Sequence, residues 1–291
     1  ERVEKIFEYV IPPHENDYPL DEIDEEKGVV IDFEVKEITR KVDPPAHPFP
    51  VFYEYAALDM AYQGRGVPAG NGNSYGVGGS MARFLTYDDY LYTLESTFNL
   101  KTIDISTPGQ PVTIHEQSLW GNVETLFING ETMYVGTSQG MHILSLSEPS
   151  VPVLLSTYRH VTACDPVVVE GNLGYVTLRA GNNCGGTQNL LEVIDLSDSQ
   201  NPKRLVSYAM REPYGLGIDN GTLFVCEGSH GLKVFDATDP YRITSNQLAH
   251  FPELHSFDVI PLSGILLMTG DEGFGIYDYS SPEDIRLLST L

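Results

Sequence analysis

Val123-Glu-Thr-Leu-Phe-Ile-Asn129-Gly130-Glu-Thr132-Met-Tyr-Val-Gly-Thr137-Ser-Gln139-Gly140-Met141-His-Ile-Leu-Ser145-Leu146-Ser-Glu-Pro149-Ser-Val-Pro152-Val153 is the stretch from which the fold is read. Apolar residues alternate with polar ones at the two-residue period of a half-buried strand. Asn129-Gly130 is a hairpin signal, because two-residue turns need positive φ. The stretch therefore reads as four strands, Val123–Asn129, Thr132–Thr137, Met141–Leu146 and Val153–Tyr158. Gln139-Gly140 turns the second strand into the third, and Ser145-x-Ser-x-Pro149 turns the third into an outer strand. Pro152 suits an edge position, since it has no N–H to offer a neighbour.

The same unit recurs. Its third strand and following turn reappear at Lys101-Thr-Ile-Asp104, Glu192-Val-Ile-Asp195, Lys233-Val-Phe-Asp236 and Gly275-Ile-Tyr-Asp278, each followed by Ser or Thr and by Pro. The centres 104, 145, 195, 236 and 278 are spaced 41, 50, 41 and 42 residues apart. The long interval holds about nine extra residues within the Gly/Asn-rich loop Ala180–Gln188. Short strands in fours at a period of about 40–45 residues are propeller blades. The fold class expected is all-β, a β-propeller with five repeats over residues 81–291: about 81–121, 122–162, 163–212, 213–254 and 255–291. No amphipathic stretch of helical length interrupts them, which excludes a helical solenoid.

Residues 1–80 depart from the repeat. The first fifty hold fourteen acids against six bases, followed by Pro-rich and Gly-rich runs. Two short strands are expected there, Lys5–Ile11 and Val29–Val35, within an otherwise irregular segment. Glu1–Ile11 reads as the outer strand of a blade whose earlier strands are missing, so a larger ring with upstream blades is expected.

Net charge is −24, which argues against nucleic acid and against direct contact with an anionic membrane surface. No apolar run approaches the roughly 18–20 residues of a spanning helix. No HExxH, GxSxG or phosphate-binding loop occurs. An enzymatic role is not the expectation, although channel carboxylates keep a hydrolase or lyase as the alternative.

Aligned on the repeat centres, Arg83, Glu124, Asp165, Gly215 and Asp258 come into register at the start of the first strands. One arginine and three carboxylates would then line one layer of the channel. Glu124, Asp165 and Asp258 would suit a hard cation such as Ca²⁺, which prefers oxygen ligands. In the competing reading Arg83 pairs with a neighbouring carboxylate and the rest are hydrated. Above them, the loops leading into the first strands collect Trp120, Arg159, His160, Glu212, Tyr214 and His255 as candidate ligand-binding residues. Trp, Tyr and Arg are the types that anchor interfaces. Cys164 and Cys184 fall near one face of the same blade, as a disulfide or as two free thiols. Cys226, after Leu223-Phe-Val, reads as a small buried hydrophobe.

The chain resembles the bacterial LVIVD-repeat proteins over about residues 80–291. The resemblance is carried by Leu191-Glu-Val-Ile-Asp195, Leu232-Lys-Val-Phe-Asp236 and Leu100-Lys-Thr-Ile-Asp104, each an apolar strand of the L-x-V-x-D kind. The stretch Ala163-Cys164-Asp165-Pro166 through Tyr175-Val-Thr-Leu-Arg179 to Cys184-Gly-Gly is similar to exported members from Bacteroides-type bacteria. The resemblance implies a propeller outside the cytoplasm, often lipid-anchored, periplasmic or at the cell surface. It carries no established activity. The expectation is a cell-envelope binding or scaffold protein that meets a protein or glycan at its loop face.

Overall fold

Twenty strands form five four-stranded antiparallel sheets in a computed structural model, which describes residues 78–95, 98–107, 109–159, 166–181 and 187–290. The first blade holds β1 (Phe84–Tyr87), β2 (Tyr90–Leu94), β3 (Asn99–Asp104) and β4 (Val112–Ser118). The second holds β5 (Val123–Asn129), β6 (Thr132–Thr137), β7 (Gly140–Ser145) and β8 (Val153–Arg159). The third holds β9 (Val167–Glu170), β10 (Leu173–Leu178), β11 (Leu190–Asp195) and β12 (Lys203–Ala209). The fourth is built from β13 (Leu216–Asp219), β14 (Thr222–Cys226), β15 (Leu232–Asp236) and β16 (Gln247–Phe251). The fifth is built from β17 (Ser256–Leu262), β18 (Ile265–Gly270), β19 (Gly273–Asp278) and β20 (Arg286–Thr290). Within every blade the strands lie side by side in chain order. This is the β-propeller that the repeat predicts. The strands expected at Lys5–Ile11 and Val29–Val35 lie outside the described residues.

Local chemistry explains the regularity. At Asn220-Gly221, φ is +49° and +75°, the two positive values that a tight hairpin between right-twisted strands requires. Each repeat centre folds its own turn. The Asp195 carboxylate accepts from the Ser197 N–H at 2.9 Å and hydroxyl at 2.6 Å, and Asp236 does the same with Thr238 at 3.0 and 2.6 Å. Asp104 and Asp278 accept from Ser106 and Ser280, and Ser145 accepts from the Ser147 N–H at 3.2 Å. The repeat-centre side chain is thus a turn former.

Every third-to-fourth strand pairing shifts register once, just ahead of the repeat centre. The extra residue on the fourth strand is Ile114, Leu155, Leu205, Leu248 or Leu288, aliphatic in all five blades. Such bulges bend the strand and add twist.

Apolar clusters form the seams between blades. Leu85, Tyr92, Leu126 and Leu144 fill the first seam, and Tyr134, Ile143, Val169 and Ile194 the second. Val168, Leu191, Leu223 and Phe235 fill the third, and Phe224, Val234, Val259 and Leu266 the fourth. Side chains also reach over to the next blade's outer turn. Tyr92 donates to the Pro149 carbonyl at 2.7 Å, Ser156 to Ser199 at 2.6 Å and Tyr208 to Pro240 at 2.7 Å. Among the described residues no fifth apolar cluster joins the fifth blade to the first. Instead Phe84 is 69% exposed, and Leu287 and Leu288 are each 56% exposed.

Candidate functional site

Antiparallel order sends the first-to-second and third-to-fourth connections to one end of the blades, the turn end. The second-to-third connections and the passages between blades gather at the other, the loop end. The repeat-centre aspartates sit at the turn end, and the candidate site residues at the loop end.

The layer expected at the start of the first strands separates into two levels. By pairing, Asp258 stands opposite Thr269 and is the counterpart of Thr125, which stands opposite Gly136. Arg83 and Gly215 hold the same level, against Leu94 and Cys226. Glu124 lies one step nearer the loop end, as the extra residue of a bulge, and its counterparts are Tyr214 and Phe257. Alignment on the repeat centres blurred this, because the second-to-third connection is one residue longer in the first and fourth blades.

The Asp258 carboxylate is met by protein groups on both oxygens. The segment Gly79–Ala82, just ahead of β1, straps across the inner strands. Ser80 is fully buried; its hydroxyl donates to Asp258 Oδ1 at 2.8 Å and accepts from the Leu216 N–H at 2.8 Å. The Met81 N–H approaches the other carboxylate oxygen at 3.4 Å, and the Leu126 N–H donates to the Ala82 carbonyl at 2.7 Å. One strap thereby ties the second, fourth and fifth blades together. Gly215 abuts the Asp258 carboxylate and leaves no space for a side chain. Burial pushes the Asp258 carboxyl up to about 6, against the hydrogen bonds from Ser80 and nearby backbone.

Arg83 is exposed and donates to two backbone carbonyls, Glu124 at 3.4 Å and Leu94 at 3.3 Å. Burial lifts the Glu124 carboxyl to about 7, with the Arg83 charge pulling the other way. The structure therefore brings Arg83 to Glu124, and Gly215 to Asp258. Asp165, the third proposed cation ligand, lies outside the described residues, as do His160, Cys164 and Cys184. Among the described residues no three His, Cys, Asp or Glu side chains converge to hold a metal ion. Cys226 is a free, buried thiol held above its ordinary range by burial.

The rim is organised around aromatic rings. Arg159 lies over Trp120 at 4.6 Å from the ring centroid, and Trp120 is 38% exposed. Below it the buried His142 meets the indole edge-on at 4.8 Å and bonds the Trp120 carbonyl at 2.7 Å and Thr157 at 2.9 Å. Burial keeps that imidazole below its ordinary range, hence neutral at pH 7. Arg179 lies over Tyr214 at 4.1 Å, and Tyr214 packs against Phe257 at 5.2 Å. The sequence points to Tyr214 as a rim residue but to neither Arg179 nor Phe257. The counterpart positions of Glu124 would have found Phe257 once loop length was counted. His255 meets Asp271 at 3.2 Å, beside a hollow of about 30 Å³ lined by Glu253, Glu272, Phe274 and Tyr277. That is room for about one water molecule. Glu212 is exposed.

Residues 120–160, the whole second blade with its flanks, match the LVIVD repeat. No curated protein matches the chain. Among solved structures, a functionally unknown protein from Desulfotomaculum acetoxidans is similar at a TM-score of 0.55 and 11% identity, over 69% of this chain and 65% of that one. The computationally designed Ika8 protein is similar at 0.52 and 12%, over 71% and 59%. Apo AztD from Citrobacter koseri is similar at 0.50 and 11%, over 74% and 70%. The chain spans under two-thirds of the length of the first two. At such identities the likeness concerns the fold.

Proposed function

We propose that this propeller is a non-enzymatic binding or scaffold protein of the cell envelope, engaging a protein or glycan through its loop end. One observation carries the reading: the exposed Trp120 with Arg159 over its ring, on the same end as Arg179 over Tyr214. Large rigid aromatics and arginines are the residues that concentrate binding energy. The inner strands favour this over channel chemistry, since Ser80 and Met81 already occupy the Asp258 oxygens. The extracytoplasmic location rests on the resemblance to exported LVIVD-repeat proteins. Immobilised protein exposed to envelope extract tests the site. Material retained by the wild type should be lost from Trp120→Ala/Arg159→Ala and from Tyr214→Ala/Arg179→Ala. It should stay on Tyr241→Ala, whose side chain is 62% exposed at the turn end. Loss on Tyr241→Ala alone would refute the loop-end reading.

A hydrolase or lyase remains the second reading, favoured by the Glu124 carboxyl held near 7, a value suited to proton transfer. Turnover of oligosaccharides abolished by Glu124→Gln would establish it.

A further inference from the structure

We infer that the loop end binds an acidic saccharide, with Arg179 over Tyr214 and Arg159 over Trp120 as its contact pairs. The inference rests on the loop-end reading above and names the ligand's chemistry. Each pair sets a planar guanidinium against an aromatic ring, at 4.1 and 4.6 Å. The ring beneath each guanidinium helps to hold it in place. Each guanidinium fork can grip a carboxylate with two parallel hydrogen bonds. The exposed Trp120 beside Arg159 gives apolar surface for the C–H face of a sugar.

A net charge of −24 gives an anion no long-range pull, so the arginines must act at contact distance. The repeat-centre aspartates 104, 195, 236 and 278 all lie at the turn end. At ordinary salt a charge is screened within about 10 Å. The loop end also carries Glu124, Glu212, Glu253, Asp271 and Glu272, so the anion is held by direct contact with Arg159 and Arg179 and not by the field of that end.

An acidic peptide fits less well. Peptides are held by a sheet edge, a long groove or side-chain pockets. The free sheet edges here belong to the fourth strands at the perimeter, and the hollow at His255 is about 30 Å³ and flanked by Glu253 and Glu272.

Calorimetric titration with an oligogalacturonate, its uncharged methyl ester and an oligoglutamate of equal charge tests the inference. The oligogalacturonate should bind. Arg179→Lys and Arg159→Lys, which keep the charge but lose the fork, should each weaken it about tenfold, as should esterification. Unchanged melting curves for the two lysine variants separate lost contacts from lost fold. Equal binding of the ester, no effect of either lysine variant, or no binding of the oligogalacturonate overturns the inference. So does oligoglutamate binding more tightly through the same arginines, which leaves the loop-end reading intact. Saccharide binding abolished by Tyr241→Ala instead refutes the loop-end reading itself.

Discussion

Tyr158 donates its phenol to Glu192 at 2.8 Å across the seam between the second and third blades, and Arg204 holds the other carboxylate oxygen at 2.8 Å. Glu192 is 1% exposed, whereas Arg204 is 53% exposed. A buried carboxylate is costly unless its oxygens are bonded, so the phenol fastens one blade to the next. Tyr158→Phe is expected to cost about 1–3 kcal/mol in urea unfolding. A double-mutant cycle with Arg204→Ala should show coupling, because both donors serve one carboxylate. Strict additivity would count against a shared role.

The strap supplies a pH dependence. The folded Asp258 carboxyl titrates near 6, above its ordinary value of 3.8, and Glu124 near 7, above 4.5. Between those limits the folded state keeps protons that the unfolded state has released, so stability falls as pH rises from about 4 to 7. The repeat-centre aspartates act oppositely. Hydrogen bonds from Ser or Thr depress them, so their contribution is full above the ordinary value and lost as pH falls through the folded one. The buried His142 opposes the two raised carboxyls, since the unfolded imidazole gains a proton below about 6.5 that the folded one resists; with the two carboxyls prevailing, melting temperature should peak between about pH 4 and 5. Asp258→Asn should flatten the decline above that peak. A melting temperature that climbs steadily to pH 8 would contradict the assignment.

Gly215 is a steric prediction. A methyl group there would sit 2.8 Å from the Phe257 carbonyl and 2.8 Å from the Asp258 side-chain carbon. Gly215→Ala is expected to destabilise by about 1–3 kcal/mol through overpacking, read from thermal and urea melts. Pairing it with Asp258→Ala should restore only part of that loss, since the carbonyl contact persists.

Protection should vary along the chain. A blade with two filled seams loses more on opening than a blade with one, as in any array of nearest-neighbour units. Amide exchange should be slowest in β10, β11 and β14, between filled seams, and fastest in β3, β4, β19 and β20. Uniform protection across all five blades would show that a further contact closes the array.

Much of this was legible in the sequence, for a physical reason. Turn chemistry and period-two alternation are local, so Val123–Asn129 and Thr132–Thr137 come out with the boundaries observed. The outer strand ends one residue later than expected, at Arg159. Levels within the ring are not local. One extra residue between Cys226 and Leu232 moves Gly215 along its strand relative to the repeat centre, and nothing in the composition of that loop announces it. The partner of Asp258 was hidden for a related reason: Ser80 is 178 positions away and belongs to no repeat. The rim residues were recognisable by type alone. Their pairing depends on where Arg179 leaves β10, which only the assembled third and fourth blades determine.

The extra aliphatic residue in each fourth strand bears on self-association. An outer strand offers a row of unpaired N–H and C=O groups to any passing strand, the usual route to edge-to-edge aggregation. Ile114, Leu155, Leu205, Leu248 and Leu288 each break that row near its start, so the spacing of donors and acceptors no longer matches a straight partner. The same insertion that bends the blade edge thereby makes it a poor template for amyloid-like growth, even where Leu287 and Leu288 face solvent.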